Sequence, residues 1–305
     1  MPGNRVCPVI AARRSRASPL PQPLAVARRL RARAGGFTLI ESVIVILLIG
    51  ILAAVSAVFI VQPFEAARDM TRRAELVDAA ETALNRMTRE IRLAVPNSVR
   101  VDGNAVEFLR TSTGGRYRRL QPSGGGGAAL DPTQASGTFD VLGGIRGAVD
   151  DAAAGRDCAD DTTPEGDCLV INNTGTAGFD AYARDNVAGI TNADTTSDTI
   201  SYDAGSASAF PAHSPNQRFQ VLDTVVSYVC QGNGIDRFAG YGLNTTQQNP
   251  PDGTPDLLAS DVTACAFDYD TGAGQRHGLV TIDITIERAG ETVRLVDQAH
   301  VVNVP

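Results

Sequence analysis

The sequence predicts an α+β fold: a long N-terminal helix, half membrane-borne and half amphipathic, packed on an antiparallel β-sheet domain. Three observations predict it. Ser42 to Val61 is an uncharged run of twenty residues; apolar residues then recur at steps of three and four toward Val95; and the C-terminal part alternates with period two. The chain has 305 residues, 43% of them hydrophobic and 20% charged, enough for one or two domains with a sizeable core. That balance excludes both a polytopic membrane protein and a disordered acidic chain.

The formal charge of -7 is unevenly spread. Residues 1–36 hold eight arginines (Arg5, Arg13, Arg14, Arg16, Arg28, Arg29, Arg31 and Arg33) and no acid, whereas the remaining 269 residues carry 19 arginines against 34 acids, a net -15. An acidic remainder argues against nucleic acid as a partner. A twenty-residue helix spans roughly 30 Å, the hydrocarbon thickness of a bilayer. Basic residues before the run and acidic residues after it predict one span, with the N-terminus cytoplasmic and the chain beyond about residue 62 outside.

The junction between the two is Gly35-Gly36-Phe37-Thr38-Leu39-Ile40-Glu41. A carboxylate in a span costs about 2.5–3.5 kcal/mol at the membrane centre and less near the interface, so Glu41 needs a partner, which a new N-terminal amine would supply. This heptapeptide resembles the cleavage site of type IV prepilins and pseudopilins. The resemblance implies removal of the leader after Gly36 by prepilin peptidase, N-methylation of Phe37, and pairing of Glu41 with the Phe37 amine of a neighbouring subunit. Two plainer readings compete: a secretory signal cut near Val55-Ser56-Ala57, although the apolar run exceeds the usual 7–15 residues, and an uncleaved anchor in which Glu41 is fortuitous. On the pilin-like reading the chain divides into a basic leader (1–36), a transmembrane and assembly helix (37–62), an amphipathic helix packed on the globular part (63–95), and a periplasmic β-rich domain (96–305).

Pro63 is expected to bend the helix or mark its exit from the bilayer. Beyond it, Met70, Ala74, Val77, Ala80, Leu84, Met87, Ile91 and Ala94 form the apolar stripe. The pairs Asp69–Arg73 and Arg86–Glu90, four apart, each support the helix by tenths of a kcal/mol, and Pro96 is expected to end it. Val99 to Val101 and Val106 to Leu109, joined through Asp102-Gly103-Asn104, read as a hairpin. Val280, Ile282, Ile284 and Ile286 alternate with Thr281, Asp283, Thr285 and Glu287, and a turn at Ala289-Gly290 leads to Thr292 to Val301. Further strands are expected at Thr138 to Leu142, Cys168 to Asn172, Thr199 to Tyr202, Arg218 to Tyr228 and Ala264 to Tyr269. Glycine- and aspartate-rich loops separate them, notably Gly124 to Gly127 and Asp150 to Asp167. The expected architecture is one antiparallel sheet against one helix.

Cys7 falls in the leader. Cys158, Cys168, Cys230 and Cys265 remain, an even number in an extracytoplasmic domain, which suggests two disulfides among three possible connectivities. Cys158–Cys168, tying off a loop, and Cys230–Cys265, linking two strands, are favoured. Free thiols or a four-thiolate zinc site are the alternatives, disfavoured because no CxxC spacing occurs.

Several later stretches extend the resemblance, among them Phe139-Asp140-Val141-Leu142-Gly143-Gly144, Asp167-Cys168-Leu169-Val170-Ile171, Arg218-Phe219-Gln220-Val221 and Val301-Val302-Asn303-Val304-Pro305. They look like the minor pilin-like biogenesis proteins of the mannose-sensitive haemagglutinin (MSHA) pilus, relatives of the J-type minor pseudopilins of type II secretion. The resemblance implies, as partners, prepilin peptidase, other major and minor pilin subunits, the inner-membrane assembly platform and the membrane itself. It also implies residence in the inner membrane, then in a pilus or pseudopilus filament.

The three histidines, His213, His277 and His300, stand in no HExxH, and neither GxSxG nor a Walker loop occurs. The expectation is a non-enzyme without cofactors. Asp150, Asp151, Asp157, Asp160, Asp161, Glu165 and Asp167 offer oxygen ligands for calcium, but the EF-hand spacing is missing and an acidic loop is ordinarily solvated. A filament-tip binding or adhesion module and a membrane-anchored extracytoplasmic enzyme are the alternatives from other classes.

Overall fold

The structure, a computed structural model, describes residues 36–147, 149, 158, 167–205, 210–271 and 276–305. Residues 1–35, with Cys7 and the arginines of the leader, lie outside the described residues. So do Asp150, Asp151, Asp157, Asp160, Asp161 and Glu165, six of the seven candidate calcium ligands. The chain divides into two compact units, Met1–Ile60 and Val61–Pro305.

Helix α1 is Leu39–Ile91, 53 residues, with Pro63 inside it. In the first unit, Leu39–Ala57 is long and apolar enough to cross a membrane, and none of it is buried in the protein. Leucines, isoleucines and valines so displayed are stable only in lipid or against other apolar helices.

In the second unit the buried stripe of α1 is Leu76, Ala80, Ala83, Leu84, Met87 and Ile91, again at steps of three and four. Two details differ from the sequence expectation. Met70 and Ala74 are exposed, so the packed face begins only at Leu76. The helix also ends at Ile91 rather than Val95, because Val95 N–H donates to the Leu109 carbonyl and Thr111 N–H donates to that of Leu93. Pairing with a neighbouring strand replaces the last helical turn, so Pro96 is not what stops it.

Among the described residues twelve strands follow: β1 (Arg100–Asp102), β2 (Ala105–Tyr117), β3 (Ser136–Leu142), β4 (Cys168–Val170), β5 (Val187–Asp194), β6 (Thr199–Asp203), β7 (Arg218–Gln231), β8 (Gly234–Ala239), β9 (Asp256–Ser260), β10 (Val262–Asp270), β11 (His277–Arg288) and β12 (Glu291–Val302). The β1–β2 turn is the two-residue loop Gly103-Asn104, with Asp102 opposite Ala105 and Gly103 at φ +60°, the left-handed value such tight turns demand.

Instead of one sheet there are two, a nine-stranded one in the order β1-β2-β3-β6-β5-β4-β7-β8-β9 and a three-stranded one, β10-β11-β12. The longest strands, β2 and β7, organise the large sheet. They pair with each other from Ala105↔Val229 to Arg116↔Arg218. On its other edge β2 takes β1 near its start and β3 at Arg116 and Tyr117, while β7 takes β4 near its start and β8 near its end. The pairings β2-β3-β6-β5-β4-β7-β2 therefore close a six-stranded antiparallel ring, which removes the free edges of those strands. Tyr117, Phe139, Tyr202 and Phe219 fill it with Leu169, Ile190 and Ile200, and Phe139 meets Tyr117 and Phe219 edge to face.

At the other end the same sheet opens into β1, β2, β7, β8 and β9. One face of this part, through Phe108, Val226 and Tyr228, shares a core with the α1 stripe and with Val280, Ile282, Ile284 and Ile286 of β11. Each such side chain, fully buried, contributes about 1.5–3 kcal/mol. A disulfide joins Cys230 of β7 to Cys265 of β10, so it staples the two sheets together; the other joins Cys158 to Cys168 at the start of β4.

Candidate functional site

The residues singled out by sequence gather at the start of α1. Thr38 is the N-cap: its carbonyl accepts from Ser42 N–H and its Oγ1 accepts from Glu41 N–H at 3.3 Å, satisfying one of the donors a helix start leaves open. Thr38 and Glu41 thus stand in the Thr-x-x-Glu spacing of a capping box. Sequence reasoning missed this role of Thr38, although the spacing was there to read. Glu41 lies in the first turn, where the helix dipole favours a carboxylate. Among the described residues it has no ion-pair partner, so the compensation its charge requires must come from elsewhere.

Phe37 is 77% exposed and precedes the cap. Gly36 is in extended coil, with no positive φ, and nothing lies within 4 Å of where a Cβ would stand. Among the described residues nothing in the fold therefore demands glycine at 36. The arrangement sets an exposed phenylalanine just before a helix whose first turn carries a carboxylate four residues further on.

The cysteines stand apart from this site, in the domain. Also in the domain, Glu90 ties α1 to the large sheet. It accepts from Tyr228 Oη at 2.7 Å and Arg237 Nε at 2.9 Å, with Arg86 and Arg110 within 4 Å. Burial raises its pKa, but the hydrogen bonds from Arg237 and Tyr228 and the charges of Arg237 and Arg110 outweigh that and hold it below the usual carboxylate range. Thr88 Oγ1 donates to Asp297 of β12, so two residues two positions apart on α1 grip both sheets. A second buried acid, Glu107, is 1% exposed and bonded by Arg100; burial raises its pKa in spite of that cation.

Two of the histidines, His277 and His300, lie exposed at diagonal positions on paired strands, with His277 opposite Val302 and His300 opposite Leu279, and His213 is elsewhere in the domain. His213 stacks on Tyr117, and burial lowers its pKa, whereas His277 and His300 sit on β11 and β12. Among the described residues no group of His, Cys, Asp and Glu could hold a metal ion.

The prokaryotic N-terminal methylation motif, as a family model, matches residues 31–57. That span contains the Gly36–Phe37 junction, the Thr38 cap, Glu41 and most of the apolar helix. No curated protein and no solved structure matches the chain. The motif and the single exposed apolar helix support a type IV prepilin-like protein, one of the pilin and pseudopilin class.

Proposed function

We propose that this chain is a minor pilin or pseudopilin, a structural or initiating subunit of an MSHA-like type IV pilus, with a role in assembly and none in catalysis. The observation that carries the reading is the coincidence, inside one matched motif, of Gly36, Phe37 and Glu41 with an apolar helix that buries nothing within its own chain. Prepilin peptidase removes the leader after Gly36 and Phe37 is methylated. Glu41 then draws an incoming subunit by pairing with a terminal amine. The minor, MSHA-like part of the proposal rests on the stretches around Phe139, Cys168, Arg218 and Val301, which resemble the biogenesis protein MshO. Their kinship to J-type pseudopilins supports a second reading, a minor subunit of a type II secretion pseudopilus.

Two variants test the core of the proposal. Gly36→Arg is expected to block processing, so that N-terminal sequencing of the membrane fraction no longer begins at Phe37. Glu41→Ala is expected to leave cleavage intact while sheared filaments contain much less of the protein. Normal incorporation of Glu41→Ala would sink the pairing role.

A further inference from the structure

We infer that the outer face of the β2–β7 pair carries a binding groove for a short acidic polypeptide segment. Arg116 and Arg218 are directly opposite each other in the register of these strands, so their side chains share one face at a Cβ separation of about 5 Å. Like charges so placed are destabilising unless an anion lies between them. Both residues are exposed, and among the described residues neither has a carboxylate partner, in contrast to Arg110 on the same strand, which Asp223 holds at 2.6 Å. The two arginines line a groove of about 490 Å³ with Leu93, Ser112, Gly114 and Gln220. At Gly114 the two strands approach closely, since a Cβ there would stand 2.8 Å from the Phe219 carbonyl oxygen.

Two guanidiniums on one wall recognise carboxylates by paired, charge-assisted hydrogen bonds. The rest of the lining selects among anions. Leu93, half exposed at 49%, offers apolar contact to an aliphatic stem. The net -15 of residues 37–305 repels an extended polyanion such as nucleic acid, while a short acidic segment needs only the local cations.

The test uses the full-length protein in detergent micelles with fluorescein-labelled hexaglutamate and hexaglutamine peptides, followed by fluorescence anisotropy at low ionic strength. Hexaglutamate is expected to bind and hexaglutamine not. The Arg116→Gln, Arg218→Gln double variant is expected to bind hexaglutamate at least about tenfold more weakly, the loss of one charge-assisted hydrogen bond. Arg288→Gln, whose guanidinium pairs with Asp261, serves as a control and should bind like wild type. Because the two arginines oppose each other, Arg218→Gln alone should melt no lower than wild type without peptide, and should lose the rise in Tm that hexaglutamate gives the wild type. Equal binding by the double variant, or displacement of hexaglutamate by equimolar inorganic phosphate, would overturn the inference.

Discussion

Glu90 shows how one side chain acquires a role that its neighbours in sequence do not announce. The pairing with Arg86, one helical turn away, is readable from spacing alone and is worth tenths of a kcal/mol. Tyr228 and Arg237 are 138 and 147 residues distant, and only the fold brings them to the carboxylate. Arg237 is 8% exposed, so removing its acceptor strands a buried cation. Glu90→Ala is accordingly expected to destabilise the protein by about 3 kcal/mol, measured as denaturant unfolding of the detergent-solubilised chain. The pH dependence has a definite sign. Since the folded-state pKa lies below the ordinary 4.5, the ion pair contributes its stability above about pH 4.5 and loses it as the pH falls through the depressed value. Glu90→Gln should therefore show a shallower decline of Tm on the acid side of pH 4.5 than wild type; an identical acid limb would assign acid sensitivity to other groups. The N-terminal motif that holds Gly36, Phe37 and Glu41 was legible because it is local in sequence, and the Glu90 node was not, because it is made of sequence separations.

At the scale of elements, legibility followed burial geometry. Strand β11 is covered on one face only, so Val280, Ile282, Ile284 and Ile286 alternate with polar residues and the strand reads plainly. Strands β5, β8 and β9 escaped. Val187–Asp194 holds a glycine and turns polar after Ile190, Gly234–Ala239 carries Asp236 and Arg237, and Asp256–Ser260 is an edge strand with Leu257 exposed. Their pairing comes from β4, β6, β7 and β8, not from their own pattern. Closure of the ring was equally hidden, since it depends on β2 and β7 being long enough to change partners along one edge. The disulfides act at this scale too. Cys230 and Cys265 close a separation of 35 residues across two sheets, and Cys158 and Cys168 one of 10, for which loop entropy gives about 4 and about 3 kcal/mol. Cys230→Ser with Cys265→Ser is expected to lower Tm by more than Cys158→Ser with Cys168→Ser, by calorimetry of the oxidised proteins. Reduction of the wild type should reproduce the sum; an equal or reversed order would mean that strain or residual structure outweighs chain entropy.

For the whole molecule the deciding quantity is the distribution of charge about the one apolar helix. The precursor is -7, yet eight arginines lie before Leu39–Ala57 and the chain that follows is acidic. Under the positive-inside bias the proposed orientation has the N-terminus in the cytoplasm and the chain after the helix outside. The two disulfides of the Val61–Pro305 unit fit the same side, because thiols are kept reduced in the cytoplasm. On the proposed processing after Gly36, the chain from Phe37 onward would carry -15, with its amine four residues from Glu41. The orientation is open to one experiment on cells making the protein. Protease added to spheroplasts should degrade the domain while the membrane stays sealed, and the protein should resist alkaline carbonate extraction yet dissolve in detergent. Replacing the eight leader arginines by glutamine should abolish that uniform orientation, leaving a protease-resistant fraction; a fully accessible domain in this variant would show that the leader's charge does not set the topology.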